Sequence, residues 1–343
     1  MKTWRSACLQ AALAAAIATV CASVPALAQD FYKDRTFRVI VGSSAGGGYD
    51  AYARLVARHI GKYIPGNPVV VVSNMPGAGG NNAAAYVYSA APKDGTVMGA
   101  VAAGSVLDKV IGDAKRVRHD PAKMQYIGSA NSEMFTCVVR SDAPVKSFKQ
   151  ALSQEVVIGS SGGTTRDMAT MMNSLLGTKF RLVAGYKGTR QINLAIEKGE
   201  VQGVCGMGWT SIQKQNGRWF EEKFARVLVQ EGQKPLEELT KMGAAFSLDY
   251  AKDKQTRDIM ELIYLQGVFT RPFMMAPEAP KDRVEIIRTA FMKALADPKA
   301  HEEAGKQSLV INAISGKELQ EMVRKIYAMD PALHAKARQA LGY

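Results

Sequence analysis

The sequence predicts an α/β protein with two lobes, in which each lobe is a parallel-rich sheet with flanking helices and two crossing strands form a hinge. Three observations support this prediction. Strand-like apolar runs alternate with helical patterns, as they do in parallel α/β folds. The alternation stops near the middle of the chain and then starts again. A glycine-rich strand-to-helix turn occurs once in each half.

The first alternation begins with a strand-like run at 36–42 and a helical pattern at 49–60 that ends at Gly61. The next run, 68–74 (PVVVVSN), is continuously apolar, so we expect a strand that is buried on both faces. A helical pattern and a further strand-like run occupy 82–101. This order of elements predicts the first half of a parallel sheet.

The middle of the chain predicts two extended segments in succession, over 126–144, before a second alternation begins at 155. The chain is therefore expected to leave the first lobe near Ser129 and to return near Gly267. This places residues 29–130 and 268–343 in the first lobe and residues 131–267 in the second.

The N-terminus has the pattern of a secretory signal peptide. Lys2 and Arg5 precede an apolar run at 11–24, and Pro25 with the next three residues forms a small-residue cleavage signal, which predicts a signal peptide over 1–28. The apolar run is shorter than the roughly 20 residues that span a membrane. The expected location is the periplasm.

Charge and cysteine content narrow the possible partners. The formal charge of +13 favours anionic ligands, but the basic residues are scattered and no nucleic-acid site is predicted. Beyond the signal peptide only Cys137 and Cys205 remain, too few for a disulfide framework. Both lie in apolar, strand-like runs, which favours buried free thiols; a disulfide between them stays open.

The glycine-rich turn at 41–50 (VGSSAGGGYD) aligns without a gap with 158–167 (IGSSGGTTRD). Each turn follows a strand-like run and opens a helix, so each presents backbone N–H groups at the positive end of a helix dipole. Two such turns facing each other across a cleft would form a clamp for an anion. The alternative is that the serines and aspartates serve only as turn and cap residues.

Three classes of enzyme use glycine-rich turns of this kind. The lysine of a phosphate-binding P-loop is missing after Gly47, and no dinucleotide fingerprint is present. Both turns satisfy the G-x-S-x-G pattern of serine hydrolases, and Ser161 precedes His301 and His334 in the appropriate chain order. A second copy of a nucleophile turn has no catalytic purpose, however. A hydrolase therefore remains the alternative, and no metal site or cofactor is predicted.

Residues 39–62 and 67–101 resemble the substrate-binding receptors of tripartite tricarboxylate transporters, the Bug family. The resemblance continues through Gly159, Ser160 and Gly162, the Gly-Tyr-Lys-Gly at 185–188 and the C-terminal region at 276–300, so it spans essentially the whole mature chain. The match includes Gly46, Gly47, Asp50, the Ala-Arg-Leu at 53–55, and the Asn-x-Pro-Gly-Ala-Gly-Gly-Asn at 74–81. The resemblance implies a two-lobed periplasmic-binding-protein fold of type II-like arrangement, which closes on its ligand. It also implies that one ligand carboxylate is held by both glycine turns and that the partner is a membrane permease.

The sequence departs from the family at several positions of the expected pocket. Gly42, Ser43 and Ser44 replace a Pro-Phe-Pro, Tyr49 replaces a threonine, and Arg166 is added. Arg166 could bind a second carboxylate or simply be solvated. Tyr186 and Trp209 could line the pocket or lie in the lobe core, and Asp50 and Asn74 could contact the ligand or support the turns. The predicted ligand contacts are Ser43, Ser44, Ala45, Gly46, Gly47, Gly48, Tyr49, Asp50, Asn74, Ser160, Ser161, Gly162, Gly163, Thr164, Thr165, Arg166, Tyr186 and Trp209.

The sequence thus predicts an exported, monomeric, non-catalytic receptor that binds a small organic carboxylate between two lobes and delivers it to permease subunits of a tripartite tricarboxylate transporter. Two alternatives stay open: a secreted α/β serine hydrolase that uses Ser161, and a solute sensor that works with a signalling partner.

Overall fold

A computed structural model describes residues 31–186 and 188–343. The predicted signal peptide, 1–28, lies outside the described residues. The strands of the described residues are β1 (Thr36–Val41), β2 (Val69–Asn74), β3 (Val97–Ala100), β4 (Gln125–Ser129), β5 (Phe135–Arg140), β6 (Val156–Gly159), β7 (Phe180–Val183), β8 (Gly203–Gly208), β9 (Ala225–Glu231), β10 (Ala245–Phe246), β11 (Pro272–Met275) and β12 (Ile314–Ser315).

The helices surround these strands. They are α1 (Gly48–Ile60), α2 (Asn81–Ser89), α3 (Gly104–Ile111), α4 (Phe148–Ala151), α5 (Thr164–Leu176), α6 (Thr189–Glu197), α7 (Trp209–Asn216), α8 (Arg218–Glu221), α9 (Glu237–Lys241), α10 (Lys254–Tyr264), α11 (Lys281–Leu295), α12 (Pro298–Lys306), α13 (Gly316–Tyr327) and α14 (Pro331–Ala340). None of the helices in the described part of the chain combines the length and the apolar character that crossing a bilayer would require.

The strands form two sheets, with the orders β12-β4-β11-β3-β1-β2 and β10-β9-β5-β8-β6-β7. Pairing is parallel where strands alternate with helices, as in β2-β1-β3 and β7-β6-β8. It is antiparallel where β11 and β5, which follow the crossings, insert between other strands. The predicted α/β fold is confirmed, and each sheet is mixed because a strand that arrives from the other sheet runs in the opposite direction.

The two crossings run beside each other. The Ala130 amide donates to the Arg271 carbonyl at 3.0 Å, and the Glu133 amide donates to the Gly267 carbonyl at 2.9 Å. The C-terminal helix α14 packs against α3, on the side of the first sheet, and against α5 and α10, on the side of the second. Three segments therefore join the two halves of the molecule.

The predicted burial of β2 on both faces is wrong. β2 is the edge strand of the first sheet, and its Val69 and Val71 side chains are 68% and 41% exposed. The alternate residues Val70 and Val72 pack against the apolar core between the sheet and its helices. A run of four valines fits a central strand and an edge strand equally well, because sequence alone does not say which strands have two neighbours.

Cys137 in β5 and Cys205 in β8 form a disulfide, so the preference for free thiols is wrong. β5 and β8 are antiparallel neighbours, and the ladder pairs Thr136 with Met207 and Val138 with Val204, which brings the two cysteines opposite each other. Both side chains are completely buried. The register of two strands that are distant in sequence decided this pairing.

Glu231 at the end of β9 is a buried carboxyl group beside the disulfide. Its Oε2 accepts a hydrogen bond from the Gly206 amide at 2.8 Å, whereas Oε1 has no partner among the described residues. Burial raises the pKa of Glu231 to about 8, and the bond from Gly206 opposes only part of this shift. The side chain is therefore mainly protonated in the folded protein at neutral pH.

We expect Glu231→Gln to stabilise the protein progressively as pH rises. Below the unfolded pKa, 4.5, both states of the wild type hold the proton and the substitution changes little. Between that pH and about 8 only the folded state keeps the proton, so the free energy of unfolding of the wild type falls as pH rises. The glutamine side chain does not titrate, so the variant does not lose this stability. Melting temperatures of both proteins between pH 4.5 and 9 measure the difference.

The matched control is Glu155→Gln, which removes an exposed carboxylate paired with Arg181. It should give a difference from wild type that depends little on pH across this range. If the difference in melting temperature between wild type and Glu231→Gln stayed the same at every pH, the prediction would be contradicted.

Candidate ligand-binding site

The first glycine turn joins β1 to α1 and lies against the turn that follows β2. A Cβ added to Gly42 would come within 2.9 Å of the Gly80 Cα, so these two backbones approach as only glycines allow. Gly47 occupies the N-cap position of α1, and no side chain caps the helix. The backbone N–H groups of the first turn of α1 are therefore left for another acceptor.

Asp50 and Asn74 support this turn. Asp50 is 2% exposed; it accepts from the Gly46 amide at 2.8 Å, from Arg54 at 2.9 Å and from Asn74 at 2.8 Å. Asn74 also donates to the Ser43 carbonyl at 2.9 Å. Burial alone would raise the pKa of Asp50, but these hydrogen bonds outweigh burial and lower it. Both side chains are engaged with the turn itself, and ligand contact by either stays a prediction.

The second turn, between β6 and α5, is built in the same way from different groups. The Thr165 hydroxyl accepts from the Ser161 amide at 3.0 Å and donates to the Gly162 carbonyl at 2.8 Å. The Ser160 hydroxyl accepts from the Gly162 amide at 3.2 Å. Gly163 is the N-cap of α5, again without a side-chain cap. The side chain of Thr165 thus accepts a hydrogen bond from the backbone amide four residues earlier, as the side chain of Asp50 does in the first turn.

Asp167, the aligned partner of Asp50, has a different environment. It is buried, and its Oδ1 has no hydrogen-bond partner among the described residues. Burial raises the pKa of Asp167 to about 7; Arg166 lowers it, and the Asp108 carboxylate on α3 raises it further. Both turns lead from a strand into a helix with a glycine N-cap, but they do not share the role of this aspartate.

Arg166, Trp209 and Tyr186 are among the predicted contacts that do not line the cavity between the two halves of the molecule. The Arg166 guanidinium donates to the Leu341 carbonyl at 2.8 Å and lies 4.7 Å from the centre of the Tyr343 ring. Trp209 is 2% exposed and donates through its indole to Glu238 at 3.1 Å. Tyr186 packs against the same apolar cluster as Trp209. Ligand contact by these three residues remains a prediction that the cavity does not support.

A cavity of about 780 Å³ opens between the two halves of the molecule. From the side of the first sheet it is lined by the turn 46–48, by Tyr52 and Arg271, and by residues 307–309. From the side of the second sheet it is lined by the start of α6 and by α7. The predicted turn 160–166 is not among its lining residues. The second wall is thus another helix N-terminus, that of α6, whose N-cap Gly188 also lacks a side-chain cap.

Sequence reasoning missed Arg271 and Arg190, the arginines that line this cavity. Arg190 follows the glycine-rich segment at 185–188, whose resemblance to the Bug pattern is a usable signal. Arg271 lies next to the returning crossing and has no motif around it. Only the fold places it beside the first glycine turn.

The hydrolase alternative finds no support in this geometry. The Ser161 hydroxyl lies 3.4 Å from that of Thr165, and no histidine of the described residues is hydrogen-bonded to it. His334 contacts the Ile326 carbonyl at 3.0 Å instead. A serine nucleophile needs a base within hydrogen-bond reach, and none of the described histidines supplies one.

Comparison with known proteins decides the family. No family model matches the chain. Over 234 residues it is 30% identical to a UPF0065 protein from the gbd 5′ region of Cupriavidus necator, a match that covers 63% of this chain and 69% of that protein. The chain belongs to the UPF0065 family. A second UPF0065 protein, from Agrobacterium vitis, is 30% identical over 189 residues, 52% of this chain and 53% of that protein.

Solved structures show the same fold for this UPF0065 protein. A TctC solute-binding protein from Polaromonas matches with a TM-score of 0.68 at 16% identity, over 91% of this chain and 99% of that one. The periplasmic binding protein BugD matches at 0.63 and 20% identity, over 90% and 98%. MatC from Rhodopseudomonas palustris, with bound malate, matches at 0.61 and 17% identity, over 90% and 99%. The predicted Bug-family resemblance and two-lobed fold are confirmed.

Proposed function

We propose that this UPF0065 protein is an extracytoplasmic solute receptor that binds a small organic carboxylate in its cleft and delivers it to the permease subunits of a tripartite tricarboxylate transporter. The lobes would comprise 29–130 with 268–343, and 131–267, because the strands of each sheet fall within these ranges. The chain would be exported through the signal peptide at 1–28 and work in the periplasm as a monomer.

The cavity between the two sheets is the observation that carries this proposal. Two helices, α1 and α6, begin at its walls with glycine N-caps and no side-chain cap, so both positive dipole ends meet there. The volume of about 780 Å³ is in the range of small-molecule sites. An anion between these walls would be held from both sides, which favours closure of the lobes around it.

The solved neighbours support a carboxylate as the ligand. MatC holds malate, and another neighbour from Rhodopseudomonas palustris was solved with adipate. Without Lys2 and Arg5 of the signal peptide, the net charge of +13 becomes +11, and this positive charge would raise the rate at which such anions encounter the protein.

A thermal-shift and calorimetric screen tests the proposal. We expect at least one of succinate, glutarate, adipate, malate and benzoate to raise the melting temperature, since ligand at 100 times its Kd adds about 2.7 kcal/mol to the free energy of unfolding. The uncharged amide of each acid is the matched control and should have a much smaller effect. Stabilisation by neutral sugars or amines, with none by any carboxylate, would contradict the proposal.

A further inference from the structure

Arg271 is a cation without a carboxylate partner in the described part of the chain. It lines the cavity between the two sheets, it is half-buried, and no described Asp or Glu lies within ion-pairing distance of it. Its Nε is buried and has no hydrogen-bond partner. The charge of the guanidinium is therefore not compensated by any described carboxylate, and the part of the side chain that lines the cavity can meet an anion that enters it.

The position of Arg271 is fixed from several directions. Its Nη1 donates to the Thr270 carbonyl at 2.7 Å, and its backbone amide donates to the Ser129 hydroxyl at 3.3 Å. The guanidinium carbon lies 4.7 Å from the ring centre of Tyr49 and 4.9 Å from that of Tyr52, within cation–π range. Tyr52 is in turn held by its hydroxyl, which donates to the Val310 carbonyl at 2.7 Å.

The guanidinium lies next to the first glycine turn. A Cβ added to Gly48 would be 3.5 Å from Arg271 Nη2, so this edge of the guanidinium reaches the first turn of α1. The uncapped N–H groups of that turn and the arginine thus occupy the same wall of the cavity. Tyr49, the second residue of α1, forms one of the two aromatic surfaces beside the arginine.

We propose that Arg271 is the ionic anchor of the cleft: its guanidinium pairs with a carboxylate of the ligand beside the N-terminus of α1 and makes the receptor selective for ionised carboxylates over their amides. This inference rests on the proposed function and adds to it the side chain that supplies the charge. Planar arginine matches a carboxylate with two parallel hydrogen bonds, which a lysine at the same position cannot reproduce.

Binding of the five acids and their amides to Arg271→Gln, Arg271→Lys and wild type tests the anchor. For every acid that the wild type binds, we expect Arg271→Gln to weaken binding by about 30-fold or more. Arg271→Lys should retain an intermediate affinity, and the preference for acid over amide should largely disappear in Arg271→Gln. The control is Arg324→Gln, which removes the same charge from an exposed position on α13 and should bind like wild type.

A second measurement on the wild type covers the case in which a variant fails to fold. The guanidinium N–H resonances of Arg271, assigned in the wild type by through-bond correlation to its backbone, should move when a bound carboxylate saturates the protein. Unmoved resonances, or an Arg271→Gln affinity within threefold of wild type, overturn the anchor and leave the proposed function standing. If no carboxylate binds the wild type, the proposed function fails and the anchor with it.

Discussion

Replacing Cys137 and Cys205 together with alanine should lower the free energy of unfolding by about 4 kcal/mol. The disulfide closes a loop with a sequence separation of 68 residues, and a cross-link of that span removes much of the conformational entropy of the unfolded chain. Both sulfur atoms lie in the core of the second sheet. The melting temperature should fall by roughly 5 to 10 °C.

Single replacements provide the control. Cys137→Ala and Cys205→Ala each break the same bond, so each should lose nearly as much stability as the pair. Chemical denaturation of the oxidised wild type, the singles and the double variant gives the comparison. A double variant within 1 kcal/mol of wild type would show that the cross-link contributes little to stability.

Asp50→Ala should cost about 2 to 3 kcal/mol and should weaken ligand binding at the same time. The carboxylate holds the Gly46 amide, Arg54 and Asn74, so its removal leaves several buried or half-buried donors without an acceptor. Because the first of these bonds fixes the turn that lines the cavity, we expect the Kd for a bound carboxylate to rise about tenfold. Urea unfolding and calorimetric titration measure the two effects.

The variant Asp50→Asn removes the negative charge of the side chain and keeps its size, so it distinguishes the contribution of the charge from that of the side chain as a whole. Asparagine keeps one acceptor oxygen for the Gly46 amide and loses the ion pair with Arg54, so its cost should be smaller. The pKa of Asp50 is lowered in the fold, so its stabilisation is present above the unfolded pKa, 3.8, and is lost as pH falls below that value. The stability difference between wild type and Asp50→Asn should therefore shrink in acid; a constant difference would contradict the ion-pair role.

The sequence predicts the strand–helix alternation and both glycine turns, because these features depend on local periodicity and on residues that permit tight backbone turns. The helix expected at 49–60 is α1, Gly48–Ile60, with a shift of one residue at its start. The predicted turn residues Gly46, Gly47 and Gly48 line the cavity. Each of these features depends only on residues that lie within about a dozen positions of one another in the sequence.

The errors all concern neighbours that are distant in sequence. The apolar run of β2 favours the middle of a sheet, whereas the strand lies at the edge. The surroundings of Cys137 and Cys205 favour free thiols, yet these residues form a bond across β5 and β8. Arg271, which no motif in the sequence indicates, reaches the first glycine turn from more than two hundred residues away, whereas ligand contact by Arg166, which donates to the Leu341 carbonyl, stays a prediction.

The sequence by itself determined the α/β class, the Bug-family resemblance and one wall of the cleft, because hydrophobic period, turn chemistry and short motifs are properties of contiguous residues. Only the tertiary structure decided which strands are neighbours, which cysteines meet and which cations enter the cavity. Those choices depend on sheet order and register, which are fixed when the whole core packs and leave no mark on any single stretch of sequence.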